Sequence, residues 1–289
     1  MNHKLLAQTG VTIPEIGLGT WYYRGGVKPL KAGIEAGAKF IDTAESYGTE
    51  DTVGQAIHGL RREVFLATKV SPRHFRRRDV LAAVEGSLRR LNTDYIDLYQ
   101  LHWPNHLVPI AETMSAMEEL VNQGKVRFIG VSNFSVGDLR SAQAAMNKYK
   151  IVANQVRYSL VDRTIERDLL PYCRQQDITV IAHTPLGNNL SKLRARDPQR
   201  ALDEVASRTS RTVPQVALNW CIAQAGVVAI PKSDSEEHIR ENCAASGWQL
   251  SEEDVRLLES QVRARSRSRI EVGTRRIARY FLQKVGREL

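Results

Sequence analysis

Four side chains with complementary acid–base chemistry stand at or just beyond the ends of short apolar runs. Asp42 ends the run KFID, Lys69 ends VFLATK, His102 ends YIDLYQLH, and Tyr47 follows Asp42 by five positions. A buried lysine loses its hydration and needs a counter-charge, which Asp42 can supply. The lysine ammonium then favours the phenolate of a nearby tyrosine, so we expect the pKa of Tyr47 to fall below its usual ~10.

Together these side chains suit proton donation to a substrate oxygen. Tyr47 would be the general acid, with Lys69 tuning its acidity and Asp42 keeping Lys69 charged. His102 would orient the substrate oxygen through a hydrogen bond. No nucleophile activated by a base accompanies them, so the set is not built for hydrolysis. Each residue alone could be a helix cap, a solvated charge or a packing group; their convergence on one rim indicates a catalytic role.

Alternating strands and helices must bring these residues together. Eight short apolar runs alternate with amphipathic stretches whose apolar residues recur every three or four positions. The runs start near residues 16, 39, 64, 95, 126, 151, 178 and 227, and the helices are predicted at 28–37, 50–58, 78–91, 109–123, 136–147, 166–176, 213–224 and 235–244. The alternation predicts parallel strands joined by crossover helices. Eight such units in about 250 residues match an α/β TIM (β/α)8 barrel, with an open doubly wound sheet as the main alternative.

In a parallel barrel the carboxyl ends of all strands share one face, where barrel enzymes keep their chemistry. We also expect an N-terminal β-hairpin turning at Thr9-Gly10 and an additional helix near 198–208. No low-complexity linker divides the chain, so residues 1–289 are predicted to form one domain. The sequence GLGTWY has Tyr22 where a third glycine of a dinucleotide fingerprint would stand, which favours the barrel over the open sheet.

The one shift in composition is a basic C-terminal segment, residues 263–289. The chain has a net charge of +9, and the residues from Gln261 onward carry +7 of it. An apolar stripe in this segment predicts a terminal helix docked on the barrel; its residues are Ile277, Phe281, Leu282, Val285 and Leu289. The basic side chains could alternatively meet an acidic substrate, a second subunit or nucleic acid. No aromatic stacking motif accompanies them, which argues against RNA.

Composition also limits the class of protein. The three cysteines are far apart, no zinc-ligand spacing or HExxH occurs, and we predict no metal site. The N-terminus lacks the pattern of a secretory signal, and no apolar run approaches the roughly 20 residues that span a bilayer. We therefore expect a cytoplasmic protein that acts on a small molecule, and a monomer is favoured.

Several segments resemble the aldo-keto reductases and occur in that family's order over roughly residues 5–260. They are GLGTW, FIDTAESYG, ATKV, DYIDLYQLHWP, GKVRFIGVSNF, NQVRYSL, PLG and IPKS followed by IREN. The resemblance implies a TIM barrel that binds NADPH and moves a hydride to a carbonyl group. It also implies a catalytic tetrad, which falls on Asp42, Tyr47, Lys69 and His102.

The resemblance also implies cofactor contacts at particular residues. Gly19 and Thr20 would lie beneath the nicotinamide ribose together with Asp42. The residues implied for the carboxamide are Ser132, Asn133 and Gln155, whose side chains can donate and accept hydrogen bonds. Those implied for the pyrophosphate are Thr184, Leu186 and Gly187. Those implied for the adenosine end are Lys232, Ser233, His238, Glu241 and Asn242.

Two positions depart from the family pattern. His183 stands where an aromatic residue usually stacks on the nicotinamide, and it can stack with less apolar area. His238 replaces an arginine near the adenosine 2'-phosphate, so a bidentate phosphate contact is lost. We therefore predict that NADPH is preferred over NADH by a reduced margin, with NADH use possible.

Four aromatic residues follow strand ends and are predicted to line the substrate mouth: Trp21, Tyr22, Tyr23 and Trp103. Aromatic walls suit apolar or aromatic carbonyl compounds.

Two functions remain as alternatives to a carbonyl reductase. One is a lyase that forms a Schiff base on Lys69, which a salt-bridged ammonium disfavours. The other is a non-catalytic barrel that binds a nicotinamide cofactor and acts through a partner.

Overall fold

The computed structural model describes residues 1–265 and Thr274 of the chain. The stripe predicted between Ile277 and Leu289 lies outside the described residues. Within residues 1–265 the chain forms an N-terminal hairpin and eight parallel strands surrounded by helices. The prediction of a TIM barrel with an N-terminal hairpin and additional helices is confirmed.

The hairpin strands are β1 (His3–Leu5) and β2 (Thr12–Pro14). The barrel strands in residues 1–265 are β3 (Leu18–Gly19), β4 (Phe40–Asp42), β5 (Phe65–Val70), β6 (Ile96–Leu101), β7 (Val126–Ser132), β8 (Ile151–Arg157), β9 (Thr179–His183) and β10 (Val227–Ile230). Each barrel strand pairs in parallel with the next along the chain. The residues around β3 and β10 also pair, since Gly17 N–H donates to Ala229 O at 2.8 Å and Gly19 N–H to Pro231 O at 3.0 Å. This pairing closes the barrel and excludes the open sheet.

The helices described in residues 1–265 are α1 (Val27–Glu35), α2 (Glu50–Ile57), α3 (Arg77–Leu91), α4 (Ile110–Asn122), α5 (Val136–Ala144), α6 (Leu169–Gln175), α7 (Leu190–Arg194), α8 (Ala201–Thr209), α9 (Val213–Ala223), α10 (Glu236–Cys243) and α11 (Glu252–Gln261). Eight of them match the predicted crossover helices, and α8 is the additional helix expected near 198–208. The helices α7 and α11 were not predicted. None of the helices in the described part of the chain is both long and apolar enough to cross a membrane.

Local sequence explains where these helices begin and how they pack. In α3 the residues Val80, Val84 and Leu91 are fully buried, as a stripe of three- and four-residue spacing requires. At the start of α9, the side chain of Thr212 accepts from Gln215 N–H, and the Gln215 side chain accepts from Thr212 N–H. This reciprocal capping satisfies backbone donors that helix ends otherwise leave unpaired.

The hairpin closes the end of the barrel opposite the strand carboxyl ends. Leu6 and Ile13 are fully buried and pack with Phe40 and Phe65, which stand at the start of neighbouring strands. A solvent path through the barrel axis is therefore blocked on this side. The opposite end, where the strands finish, is the open one.

Candidate active site

A cavity of about 1740 Å³ opens at the carboxyl ends of the barrel strands. Its floor and walls include Asp42, Tyr47 and His102. Pockets for drug-sized ligands have volumes of roughly 300–1,000 Å³. The cavity therefore has room for a ligand as long as a dinucleotide together with a small substrate.

Lys69 is fully buried beneath this cavity at the end of β5. Its ammonium donates to Asp42 Oδ1 at 2.5 Å, to Thr43 O at 2.9 Å and to the Tyr47 hydroxyl at 3.4 Å. Burial opposes the charged form, but the Asp42 carboxylate, together with the Tyr47 hydroxyl, outweighs that penalty, so the pKa of Lys69 is raised above 10.5. Lys69 is therefore an ammonium ion at neutral pH, with no lone pair available for attack on a carbonyl carbon.

The second oxygen of Asp42 is held by two amides. Asp42 Oδ2 accepts from Gln100 Nε2 at 3.0 Å and from Gln155 Nε2 at 2.7 Å. Lys69 and Gln100 lie side by side on β5 and β6, so both donors reach Asp42 from the interior of the barrel. The carboxylate is thereby fixed in the orientation that meets Lys69.

Tyr47 lies on a short 3-10 turn, Glu45–Tyr47, between β4 and α2. Burial raises the pKa of its phenol above 10, and the Lys69 ammonium offsets only part of that effect. The expectation of a lowered pKa is therefore wrong. The reason is that protein atoms surround much of this partly buried side chain, and the resulting desolvation disfavours the phenolate more than one cation favours it. Tyr47 consequently keeps its proton at neutral pH, which is the form that a general acid needs.

His102 follows β6 and faces Tyr47. Its Nε2 lies 3.3 Å from the Tyr47 hydroxyl, and its Nδ1 lies 3.4 Å from Ser46 Oγ. Burial, followed by the charge of Lys69, lowers the pKa of His102 well below 6.5. The imidazole is therefore neutral at physiological pH and can donate from one nitrogen while accepting at the other.

The residues implied for the carboxamide form a hydrogen-bonded row at the ends of β7, β8 and β9. Asn133 Nδ2 donates to Ser132 Oγ at 2.9 Å, and Ser132 Oγ donates to Gln155 O at 3.0 Å. His183 Nε2 lies 3.4 Å from Asn133 Oδ1. The Gln155 amide nitrogen is committed to Asp42, so its oxygen is the part that could meet a ligand N–H. These side chains are held in place by hydrogen bonds to one another.

Backbone strain accompanies this rim. Asn133 has a φ of 63° and Thr184 a φ of 55°, and both line the cavity. A left-handed φ is uncommon outside glycine and is a genuine outlier for a β-branched residue such as threonine. Strain of this kind costs about 1–3 kcal/mol and clusters at functional sites, where surrounding contacts hold it.

The loop after β9 contributes only part of what was predicted for it. Thr184 and Leu186 line the cavity, whereas Gly187 lies outside its lining. Gly187 has a φ of 69°, and a Cβ there would lie 2.5 Å from Val161 Cγ2. The structure therefore gives Gly187 a role in the turn and in close packing.

The adenosine end predicted for the cofactor also lies on the cavity wall. Lys232, Ser233, His238, Glu241 and Asn242 all contribute to the lining, and Arg211 joins them. The Lys232 ammonium is paired with Asp234 Oδ2 at 2.5 Å. The Asp234 carboxylate therefore already neutralises part of the Lys232 charge that would meet a phosphate group.

The predicted aromatic wall consists of three residues instead of four. Trp21 and Tyr22 line the mouth with 50% and 69% of their surface exposed, and Trp103 lines it as well. Tyr23 is buried and donates its hydroxyl proton to Gly26 O at 2.7 Å. The prediction that Tyr23 lines the substrate mouth is therefore wrong. Its side chain instead holds the loop through the hydrogen bond to Gly26.

Sequence reasoning missed residues that hold the site together. Gln100 fixes Asp42, and Thr49 Oγ1 lies 3.0 Å from Thr20 Oγ1 and 2.9 Å from Thr43 Oγ1. For Gln100 a signal existed, because an amide side chain in the largely apolar run YIDLYQL needs hydrogen-bond partners when the strand is buried. For Thr49 there was none, since threonines before helices commonly serve as caps.

Comparison with known proteins agrees with this architecture. The model of the Aldo/keto reductase family matches residues 15–263. The chain is 40% identical to methylglyoxal reductase YeaE of Escherichia coli over 90% of this chain and 95% of that protein. It is 37% identical to glyoxal reductase of Bacillus subtilis over 85% of this chain and 88% of that one. A crystal structure of an aldo-keto reductase from Klebsiella pneumoniae in complex with NADPH superimposes with a TM-score of 0.85 at 41% identity, covering 92% of this chain and 98% of the other.

Proposed function

The chain belongs to the aldo/keto reductase family, and we propose that Tyr47 is the general acid of its NADP-dependent reduction of aldehydes and ketones. One observation carries the assignment of Tyr47. Its hydroxyl lies in the cavity 3.4 Å from a fully buried ammonium and 3.3 Å from a neutral imidazole. This is the surrounding that a phenol needs in order to give up its proton and leave a stabilised anion.

The residues act on the substrate oxygen in sequence. When bound, NADPH supplies the hydride that reduces the carbonyl carbon. A carbonyl oxygen seated between Tyr47 and His102 accepts a hydrogen bond from the phenol and one from imidazole Nε2–H. As negative charge develops on that oxygen, Tyr47 transfers its proton to it, and the alcohol forms. Lys69 then stabilises the phenolate that remains, while Asp42 keeps the ammonium in place.

Residues of this chain also fit the dinucleotide that the family uses. The hydrogen-bonded row of Ser132, Asn133 and Gln155 would hold the carboxamide, and Lys232 would meet the phosphate at the far end of the cavity. The arrangement does not support a Schiff-base lyase, because Lys69 is buried, protonated and paired with Asp42. A neutral amine is the nucleophile in that chemistry.

We further propose that the preferred substrates are small 2-oxoaldehydes such as methylglyoxal. The proposal rests on relatives named methylglyoxal reductase and glyoxal reductase, at 40% and 37% identity. Exposed Trp21 and Tyr22 at the mouth instead favour larger aromatic aldehydes as the second candidate class.

The assay that tests this follows NADPH oxidation with methylglyoxal, glyoxal and benzaldehyde at equal concentrations. We expect kcat/KM to be higher for methylglyoxal and glyoxal than for benzaldehyde, because in both the second carbonyl group withdraws electrons from the reacting carbon. A higher kcat/KM for benzaldehyde would transfer the assignment to aromatic aldehydes. Absence of NADPH oxidation with every carbonyl would contradict both substrate classes.

We also propose that the preference for NADPH over NADH is smaller than an arginine at position 238 would give. Two features support this: His238 lacks the guanidinium fork, and Asp234 partly neutralises Lys232. Asp234 is itself held by Arg24 N–H at 2.7 Å. Burial alone would raise the pKa of Asp234, but the Arg24 N–H and Lys232 lower it, so it remains a carboxylate.

Asp234→Asn and His238→Arg are each expected to raise the Kd ratio of NADH to NADPH roughly tenfold, the equivalent of about 1.4 kcal/mol. The Kd values can be measured by quenching of tryptophan fluorescence, without any turnover. Glu63→Gln is the matched control, because Glu63 pairs with Lys39 at 2.6 Å away from the cavity. An unchanged ratio in both variants would show that Lys232 and its neighbours do not contact the 2'-phosphate.

We propose a cytoplasmic location and a monomeric state. Cys173, Cys221 and Cys243 are free thiols and all buried, which suits a reducing compartment. Cell fractionation tests the location, and light scattering of the purified protein tests the mass. Recovery outside the cytoplasmic fraction would overturn the first proposal, and a dimer mass the second.

A further inference from the structure

The turn that carries Tyr47 is held by a carboxylate that the proposed reaction does not use. Glu45 begins the 3-10 turn Glu45–Tyr47, and its side chain is only 9% exposed. Its Oε1 atom accepts the backbone N–H of Ser71 and lies 3.0 Å from His74 Nδ1. A nearly buried carboxylate needs such donors, because an unpaired buried charge is costly.

This contact connects the two sides of the proposed proton donor. Ser71 directly follows β5, which ends at Val70 and carries Lys69. Glu45 therefore ties the turn of Tyr47 to the strand end of Lys69. The separation of 3.4 Å between the Tyr47 hydroxyl and Lys69 Nζ depends on how these two segments are held relative to each other.

Other support for the turn is weak. None of its residues is fully buried, so core packing alone does not fix it. Tyr47 N–H donates to Ala44 O at 3.0 Å within the turn itself, and Ser46 Oγ lies 3.4 Å from His102. The hydrogen bonds of Glu45 are thus short contacts that join the turn to the segment directly after β5.

We propose that Glu45 is a positioning residue, which sets the distance between Tyr47 and Lys69 by binding Ser71 N–H, with His74 as its second donor. The proposal rests on Tyr47 as the general acid. Misplacement of a reacting group by about 1 Å can cost on the order of 10²-fold in rate. The carboxylate therefore affects kcat through Tyr47 without touching substrate.

The test compares Glu45→Ala and Glu45→Gln in the full-length protein. We expect Glu45→Ala to lower kcat by at least about tenfold while KM changes little. The isotope effect with 4-deuterated NADPH should rise, because the chemical step becomes slower. Glu45→Gln retains an acceptor oxygen for Ser71 N–H and should recover most of kcat.

Glu112→Ala is the matched control. Glu112 makes the same kind of contact, accepting Arg77 N–H at 3.0 Å and pairing with Arg76 at 3.3 Å, but on α4 away from Tyr47. Its loss should leave kcat unchanged and, because Glu112 is more exposed than Glu45, should lower the melting temperature no more than Glu45→Ala does. If Glu45→Ala and Glu112→Ala have the same kcat, Glu45 is structural only and the proposal is wrong.

A double variant separates this proposal from the assignment of Tyr47. With Tyr47→Phe already present, Glu45→Ala should lower kcat no further, because the group it positions is gone. A further fall of similar size would contradict positioning through Tyr47. High activity of Tyr47→Phe alone would instead overturn the general acid, whatever Glu45 does.

Discussion

Tyr47→Phe is expected to lower kcat for carbonyl reduction by about 10²–10⁴-fold, which is the usual contribution of a positioned general acid. The substitution removes only the hydroxyl that lies 3.4 Å from Lys69 and 3.3 Å from His102. The ring remains to fill the same space, so the Kd for NADPH should stay close to that of the unchanged protein. Steady-state kinetics with methylglyoxal and fluorescence titration with NADPH measure the two effects separately.

Tyr23→Phe provides the control for this result. Tyr23 is also buried and also donates a hydroxyl proton, but to Gly26 O and outside the cavity. Its loss should reduce stability slightly and leave kcat nearly unchanged. A Tyr47→Phe variant within about tenfold of normal kcat would exclude Tyr47 as the general acid.

The amino-acid sequence is informative about positions along the chain because strand ends are local features. Asp42, Lys69 and His102 each close an apolar run, and parallel strands bring such closures to one face. The barrel and the shared rim follow from that pattern of apolar runs. The role of Gln100 could not be predicted in this way. Its side chain lies in the barrel interior beside Lys69, and the pattern of strand ends gives no information about interior contacts.

The degree to which each side chain is buried could not be predicted from the sequence. The pKa of Tyr47 depends on how much water the whole cavity wall excludes, and that wall comes from several distant strands. The direction in which a loop side chain points is likewise set by tertiary packing. Tyr22 and Tyr23 are adjacent, yet Tyr22 has a φ of 54° and faces solvent whereas Tyr23 is buried.

Lys69→Met is expected to be the most destabilising single substitution at this site. It leaves the Asp42 carboxylate buried with only the neutral amides of Gln100 and Gln155 as partners. Breaking a buried ion pair in this way costs about 3–5 kcal/mol in the free energy of unfolding. The folded-state pKa of Lys69 is raised above 10.5, so this stabilisation is fully present at neutral pH and is lost as the pH rises past that folded-state value. Urea unfolding at pH 7 measures the loss.

The double variant Asp42→Asn/Lys69→Met distinguishes stability from catalysis. Removing both charges relieves the unpaired carboxylate, so most of the lost free energy of unfolding should return. The kcat should remain as low as in Lys69→Met, because no cation is left to stabilise the Tyr47 phenolate. Lys125→Met is the surface control, since the partly exposed pair of Lys125 and Glu85 should contribute less than about 1 kcal/mol. Recovery of kcat together with stability would mean that Lys69 serves folding alone, and the proton donor would then have to work without an adjacent ammonium.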